Sequence, residues 1–293
     1  MVLRAVESAQ DQAQDPLAQP TATDDDPDFP VWQAATLGVL HGPAELLPIS
    51  SSGHTAVVPW LLRWDYRRLD HELRKSFEVA LHTGTAAALL ISLHGEVEDA
   101  VRGLSLRRAL LIGLSFAPAA VIGYRFERPI ERHLGTPATV AGGLFAGAVA
   151  MALADRSPQE RRAEESGFWD ALWLGVAQAC SLVPGVSRNG ATLAAGRWRR
   201  FTRVDANVLS RHAALPIITG ATLLKGVRLR ARGLPPGAAV PFAAGASAAF
   251  VSTLASTRLI RALERDSSLL PYAVYRIVLA ALIVGRLVRE GGS

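Results

Sequence analysis

Hydrophobic and polar positions do not alternate along this chain; they segregate. Six apolar runs, Phe77–His94, Ala109–Tyr124, Pro137–Ala154, Asn207–Gly226, Ala238–Leu259 and Leu269–Val288, approach the length a membrane-crossing helix needs, which is roughly 17–25 residues. Charged residues gather in short clusters between them. Ala109–Tyr124 is short, and Pro118 predicts a kink in it. Small residues recur in Gly142–Gly147 and Gly245–Ala249, which lets helix backbones approach closely in lipid.

Two further apolar stretches are interrupted. Val31–Leu47 ends at Pro48, passes through Ser50-Ser51-Ser52-Gly53 and resumes as His54–Leu62. Phe168–Val183 ends at Pro184-Gly185, passes through Ser187-Arg188-Asn189-Gly190 and resumes as Ala191–Gly196. Each half is too short to cross, and a polar break cannot face lipid because its backbone groups would lack partners. The pattern predicts two re-entrant hairpins of half-helices whose tips are buried in protein or line a wet cavity. The stretches also match each other. At a fixed shift of 137 residues, Trp32 falls on Trp169, Ala34 on Ala171, Leu37-Gly38-Val39 on Leu174-Gly175-Val176, Ser50 on Ser187, Gly53 on Gly190 and Thr55 on Thr192.

The expected fold is therefore all-α and integral to the membrane, with six transmembrane helices plus two re-entrant helical hairpins. A unit of one hairpin and three spans occurs twice, at 31–154 and 168–290, joined by a charged loop at 155–167. Three is an odd number of spans, so the second copy is inverted. Paired breaks in an inverted-topology repeat point to a binding site near the membrane midplane. A plain bundle of eight to ten spans is the competing architecture. Residues 1–30, rich in Asp, Gln, Ala, Pro and Thr with the run Asp24-Asp25-Asp26, lack the apolar segment of a signal peptide and read as a disordered acidic tail.

Composition removes alternatives. Hydrophobic residues make up 49% of the 293, and the mean hydropathy of +0.21 is high for a soluble protein. A formal charge of +5 and a pI near 10.0 raise the question of nucleic acid. The arginines, however, sit at the ends of apolar runs, where lipid headgroups lie, and no basic patch is interleaved with stacking aromatics; no nucleic-acid partner is expected. Cys180 is the single cysteine, which excludes an intrachain disulfide and a thiolate metal cluster. Lys and Arg divide almost evenly between the two sides of this topology, so charge does not set its orientation.

The first break, Gly42 to His54, places a carboxylate, hydroxyls and an imidazole at membrane depth, where ionisable groups are costly and mark function. Ser50, Ser51 and Ser52, with the free N–H groups that open the second half-helix, offer either an N-cap or an anion site. Glu45 is a base, an orienter for His54 or a hard-metal ligand, and His54 exchanges protons near neutrality. In the second break Arg188, flanked by Ser187, Asn189 and Thr192, forms a phosphate clamp or a salt bridge to Glu45 across the two repeats. Smaller expectations attach to Glu78, His82, Arg211, His212 and Arg276: His82 as a helix-to-helix hydrogen bonder, and Arg276 paired with an anion such as Glu78.

The string Glu45–His54 together with Pro184–Thr192 resembles the two signature motifs of the BacA-type undecaprenyl-pyrophosphate phosphatase family. The similarity extends over 31–290, including Phe77-Glu78-Val79 and Ala273-Val274-Tyr275-Arg276. The resemblance implies hydrolysis of a polyprenyl diphosphate to the monophosphate at the plasma membrane, recycling the cell-wall carrier lipid. It also implies a site open to the extracytoplasmic side, a link to bacitracin tolerance, and a divalent metal such as Mg2+ or Ca2+. Catalytic roles fall on Glu45, Ser51, His54 and Arg188, phosphate binding on Ser50, Ser52, Ser187, Asn189 and Thr192, and metal ligation on Glu45 and His41. The nucleophile is Ser51, with His54 or water as alternatives. Three positions depart from the family pattern: His41 replaces an acidic residue or Gln, Ala44 a Thr, and Asn189 a Ser. Because His41 removes a carboxylate, a transporter or flippase for polyprenyl phosphate is the competing function.

Overall fold

The computed structural model describes residues 29–234, 236–263 and 267–291. The acidic tail expected at 1–30 lies outside them except for its last two residues. Phe29 is part of the fold, its ring edge-on to Phe77 with centroids 4.8 Å apart.

Among the described residues, eleven α-helices account for nearly all regular structure: α1 (Val31–Leu46), α2 (Ser51–Leu62), α3 (His71–Ser92), α4 (His94–Arg102), α5 (Leu106–Leu134), α6 (Pro137–Ala154), α7 (Phe168–Cys180), α8 (Arg188–Trp198), α9 (Arg203–Arg232), α10 (Ala239–Leu263) and α11 (Leu270–Gly291). Polar caps set several starts. The Asp70 carboxylate accepts from the Glu72 and Leu73 N–H groups at 2.8 and 3.3 Å, and Thr136 caps α6 just ahead of Pro137.

Among the described residues, four helices are long and apolar enough to cross a membrane: Leu106–Phe126 within α5, Pro137–Ala154, Ala239–Thr257 within α10 and Leu270–Glu290 within α11. Only 11–44% of each is buried, and large apolar side chains such as Leu110, Phe145, Val251 and Leu282 are exposed, an arrangement that lipid accommodates and water does not. The two other expected spans fall in α3 and α9. Both are helices, but α3 carries Arg74, Lys75, Glu78 and His82, and α9 carries Asp205, Arg211 and His212. That polar load keeps them below the apolarity of a lipid-facing span.

The interrupted stretches fold as two helical hairpins, with α1 packed on α2 and α7 on α8. These helices have 16, 12, 13 and 11 residues. At ~1.5 Å per residue none reaches the ~30 Å thickness of a bilayer core. The turns share an uncommon conformation. Ser50 and Ser187 take positive φ (77° and 68°), and each Oγ accepts from an N–H three residues on, Gly53 and Gly190, both at 3.2 Å. Arg63 and Arg200 also have positive φ (56° and 64°). Both pairs obey the same 137-residue shift seen in the sequence. Left-handed backbone at a non-glycine residue is strained, and its recurrence 137 residues apart is the structural counterpart of the sequence match.

Small residues let α10 lie against α1 and α3. A Cβ on Gly42 would stand 2.6 Å from the Thr253 backbone nitrogen, and one on Gly84 would run into the Ala246 carbonyl. Around this contact Leu37, Tyr66, Phe77 and Phe242 form one core cluster, while Met151, Leu193, Phe201 and Leu269 form another near the end of α6.

The charged loop at 155–167 is fastened by ion pairs. Arg161 and Arg199 both reach Asp170, at 2.8 and 2.6 Å. Arg203 and Ser268 reach Asp155, also at 2.8 and 2.6 Å. Burial opposes the charge on Asp155, but the hydrogen bonds from Arg203 and Ser268 prevail and hold its carboxyl below the usual carboxylate range. A depressed folded-state pKa contributes stability above the unfolded value and loses it as pH falls through the folded one. Thermal unfolding in detergent should therefore show Asp155→Asn less stable than wild type at neutral pH, with the gap closing on acidification below about pH 4. A gap of constant size across that range would exclude this role for Asp155.

Candidate active site

The two hairpin tips meet, and three independent links hold them. Arg188 Nη2 donates to Glu45 Oε1 at 2.7 Å. Asn189 Nδ2 donates to the Leu46 carbonyl at 2.5 Å. Arg276, fully buried in α11, donates to the Pro48 carbonyl of the first tip at 3.3 Å and to the Gly185 and Val186 carbonyls of the second at 2.9 and 2.8 Å. Arg276 thus finds its partners in backbone carbonyls and not in the expected Glu78, which pairs with Lys75 at 2.8 Å. The reason is local: each tip ends a short helix, which leaves carbonyls without helical partners, and a guanidinium supplies several donors at once.

Glu45 is the hub. Its side chain is only 8% exposed. Besides Arg188 on Oε1, its Oε2 accepts from Ser51 Oγ at 2.5 Å. His82 Nδ1 stands 4.0 Å from the same oxygen. The hydroxyl expected to be reactive therefore points at a carboxylate whose charge an arginine balances, and short contacts of this kind are the strong ones. Because Ser50 takes positive φ, the chain reverses there and carries Ser51 back over the end of α1.

His54 lies apart from this hub. Its Nδ1 donates to the Ser50 carbonyl at 2.7 Å, and its Nε2 faces the Tyr275 hydroxyl at 2.6 Å. A carbonyl only accepts, so Nδ1 carries the proton and Nε2 accepts from Tyr275. The expected pairing of His54 with Glu45 is not formed. The imidazoles near Glu45 are those of His82 and His41, whose rings meet edge-on at 4.6 Å. His82 accordingly turns toward Glu45 and is not simply a bond between helices. The sequence signal for Tyr275 is its place in the string Ala273–Arg276 that carries the family resemblance, which does not by itself make it a site residue.

The phosphate-binding candidates divide. Ser50 and Ser187 cap α2 and α8. Asn189 spends its amide on Leu46 and accepts from Ser210 Oγ at 2.9 Å, and the fully buried Thr192 bonds Ser210 at 2.6 Å. Ser52 and Arg188 line a cavity of about 1150 Å3 that also contacts Thr55 and His82. Its lining includes Arg67, Arg74 and Lys75 as well as Phe116, Ala120 and Leu182. Cationic and apolar groups in one lining suit an anionic headgroup with a hydrocarbon tail.

Donor atoms of His41, Glu45 and His82 all lie within 4.8 Å of one another, close enough to converge on one metal ion. His41 is 2% exposed, and its Nδ1 is hydrogen-bonded to Thr85 Oγ1 at 2.9 Å, which leaves Nε2 for a ligand. A carboxylate has about four acceptor directions, and Arg188 and Ser51 occupy two on Glu45. The residues present therefore fit a divalent cation.

These features define a class: an all-helical, multi-pass membrane protein with a polar site where two helical hairpins meet. The chain belongs to the family described as bacitracin resistance protein BacA, which matches residues 34–282. It is 36% identical over 270 residues to the undecaprenyl-diphosphatase of Geobacter sulfurreducens, covering 88% of this chain and 98% of that protein. To the undecaprenyl-diphosphatase of Pelobacter propionicus it is 36% identical over 265 residues (86% and 95% covered), and to that of Rubrobacter xylanophilus 35% over 269 (87% and 97%).

Proposed function

We propose that this protein is a membrane hydrolase that converts undecaprenyl diphosphate to the monophosphate, recycling the carrier lipid of cell-wall synthesis. Raised expression would then give bacitracin tolerance. In this reading the hairpins are re-entrant, α3 and α9 complete a set of six spans arranged as an inverted repeat, and the site opens to the extracytoplasmic side of the plasma membrane. The relatives' shared activity supports the substrate. The observation that carries the reading is Glu45 bound at once to the Ser51 hydroxyl and the Arg188 guanidinium.

The chemistry follows from that contact. Ser51 Oγ attacks the terminal phosphorus, and its proton passes to Glu45 Oε2. The bond from that phosphorus to the bridging oxygen breaks. The lipid monophosphate departs with the electron pair and takes up the proton from Glu45. Water then attacks the phosphoserine; Glu45 accepts the water's proton and returns one to Ser51 Oγ, releasing inorganic phosphate. Arg188 swings from Glu45 toward the phosphoryl oxygens as charge builds on them. Ser52 and the N–H groups opening α2 face the same anion. His54, held between Ser50 and Tyr275, fixes the first turn of α2. A divalent cation on Glu45, His41 and His82 would polarise a phosphoryl oxygen.

The test is phosphate release from undecaprenyl diphosphate by purified protein in detergent with divalent metal supplied. Release is expected. A well-folded preparation that releases none, but moves polyprenyl phosphate across vesicle membranes, would overturn the phosphatase reading.

A further inference from the structure

The oxygen-only cations Mg2+ and Ca2+ prefer carboxylate, carbonyl and water ligands. The three-residue cluster at this site is different. It has two imidazoles and one carboxylate, from two helices, with donor atoms within 4.8 Å. His41 and Glu45 are four apart on α1 and so share a face. His82 comes from α3, which packs alongside. We infer that His41, Glu45 and His82 form a two-histidine, one-carboxylate site for a borderline transition cation of the Zn2+, Mn2+ or Co2+ type. This deepens the phosphatase reading by naming the metal class.

Three observations converge on it. The first is donor chemistry: imidazole favours these ions, and two imidazoles with one carboxylate leave coordination positions open for water or substrate. The second is the outer shell. A ligating histidine is usually fixed through its other ring nitrogen; Thr85 Oγ1 holds His41 Nδ1 at 2.9 Å, and Thr253 Oγ1 in turn donates to Thr85 at 3.2 Å. The third is access, since His82 lines the same cavity as Arg188, so an ion held there would be reachable from the cavity. Set against this, the loss of an acidic residue at position 41 no longer implies an impaired site. His41 supplies an imidazole in place of that carboxylate, and His82 adds a second donor within 4.8 Å.

The experiment titrates Co2+ into the metal-stripped, full-length protein in detergent, following the visible d–d absorption, with Zn2+, Mg2+ and Ca2+ as competitors. Zn2+ should displace Co2+, while Mg2+ and Ca2+ should fail to do so at equal concentration. His82→Gln should weaken Co2+ binding by more than the ~10–100-fold that outer-shell changes cost. His41→Glu should shift preference toward Ca2+ and Mg2+. Thermal unfolding of each variant checks folding; if His82→Gln does not fold, His41→Gln and His41→Glu decide. Absence of Co2+ bands in folded wild type, or unchanged metal preference in His41→Glu, overturns the inference. Phosphate release measured on the same samples separates the two readings. Turnover without a Co2+ site leaves the phosphatase standing, and a Co2+ site without turnover leaves the metal site standing.

Discussion

Arg188→Ala is expected to lower kcat for undecaprenyl diphosphate by roughly 10³-fold, the scale seen when a positioned cation is removed from an acyl- or phosphoryl-transfer site. The side chain is 17% exposed and stands at the first turn of α8, between Glu45 and the cavity. In the resting structure it neutralises Glu45; with substrate bound it has a second, more highly charged partner. An interaction that strengthens toward the transition state affects kcat more than KM. Arg188→Lys should recover little, because a point charge lacks the planar pair of donors that match phosphate oxygens. Losing Arg188 also strands a buried carboxylate, so folding is checked by thermal unfolding. A folded Arg188→Ala protein with near-normal turnover would remove Arg188 from the reaction.

The two helical hairpins were legible in the sequence, because each apolar stretch is broken by polar residues, at Ser50–Gly53 and Ser187–Gly190, whose backbone groups would lack partners in lipid. The 137-residue correspondence found from Trp32, Gly38 and Gly53 reappears in the paired positive φ values of Ser50 and Ser187. One part of that correspondence, Arg63 with Arg200, is weak in the sequence because a surface arginine carries little information about fold. Span counting was less secure. Apolar runs identified α3 and α9 as helices, but Arg74, Lys75, Glu78 and His82 of α3 line the cavity and Asp205 of α9 is buried, and hydropathy alone does not separate such a helix from one that faces lipid.

The site was legible in its residues and less so in its pairings. The meeting of Arg188 with Glu45 was open as one of two readings and is formed at 2.7 Å. Proximity in sequence favours Glu45 as the partner of His54. In fact, four residues of helical rise beyond the turn carry the imidazole toward Tyr275, from the other end of the chain. Arg276 was expected to need an anion, but a helix terminus presents several unpaired carbonyls at one place, and composition gives no sign of it. The sequence marks His82 only as an ionisable residue within an apolar run. Its convergence with His41 depends on how α3 packs beside α1, which is set by Gly42, Gly84 and α10 and not by any local motif.

Glu45→Gln should cost about 10²–10⁴-fold in kcat, the range for a general base, and Ser51→Ala should fall as far or further. Glutamine keeps an acceptor for Arg188 but cannot take the Ser51 proton, and it presents an N–H2 to a place where Ser51 itself donates. The two groups share one 2.5 Å hydrogen bond, so their contributions should not add: the double variant should be little worse than the more damaged single one. Rapid quenching of wild type with labelled substrate should trap phosphate on Ser51, and Glu45→Gln should slow its appearance. Losses that multiply in the double variant would mean that the carboxylate and the hydroxyl act independently. Phosphate trapped on His54, or on neither residue, would assign the attack to that imidazole or to water. Glu45 would then be left to activate water or to hold the metal, roles that its contacts with Arg188 and His82 already permit.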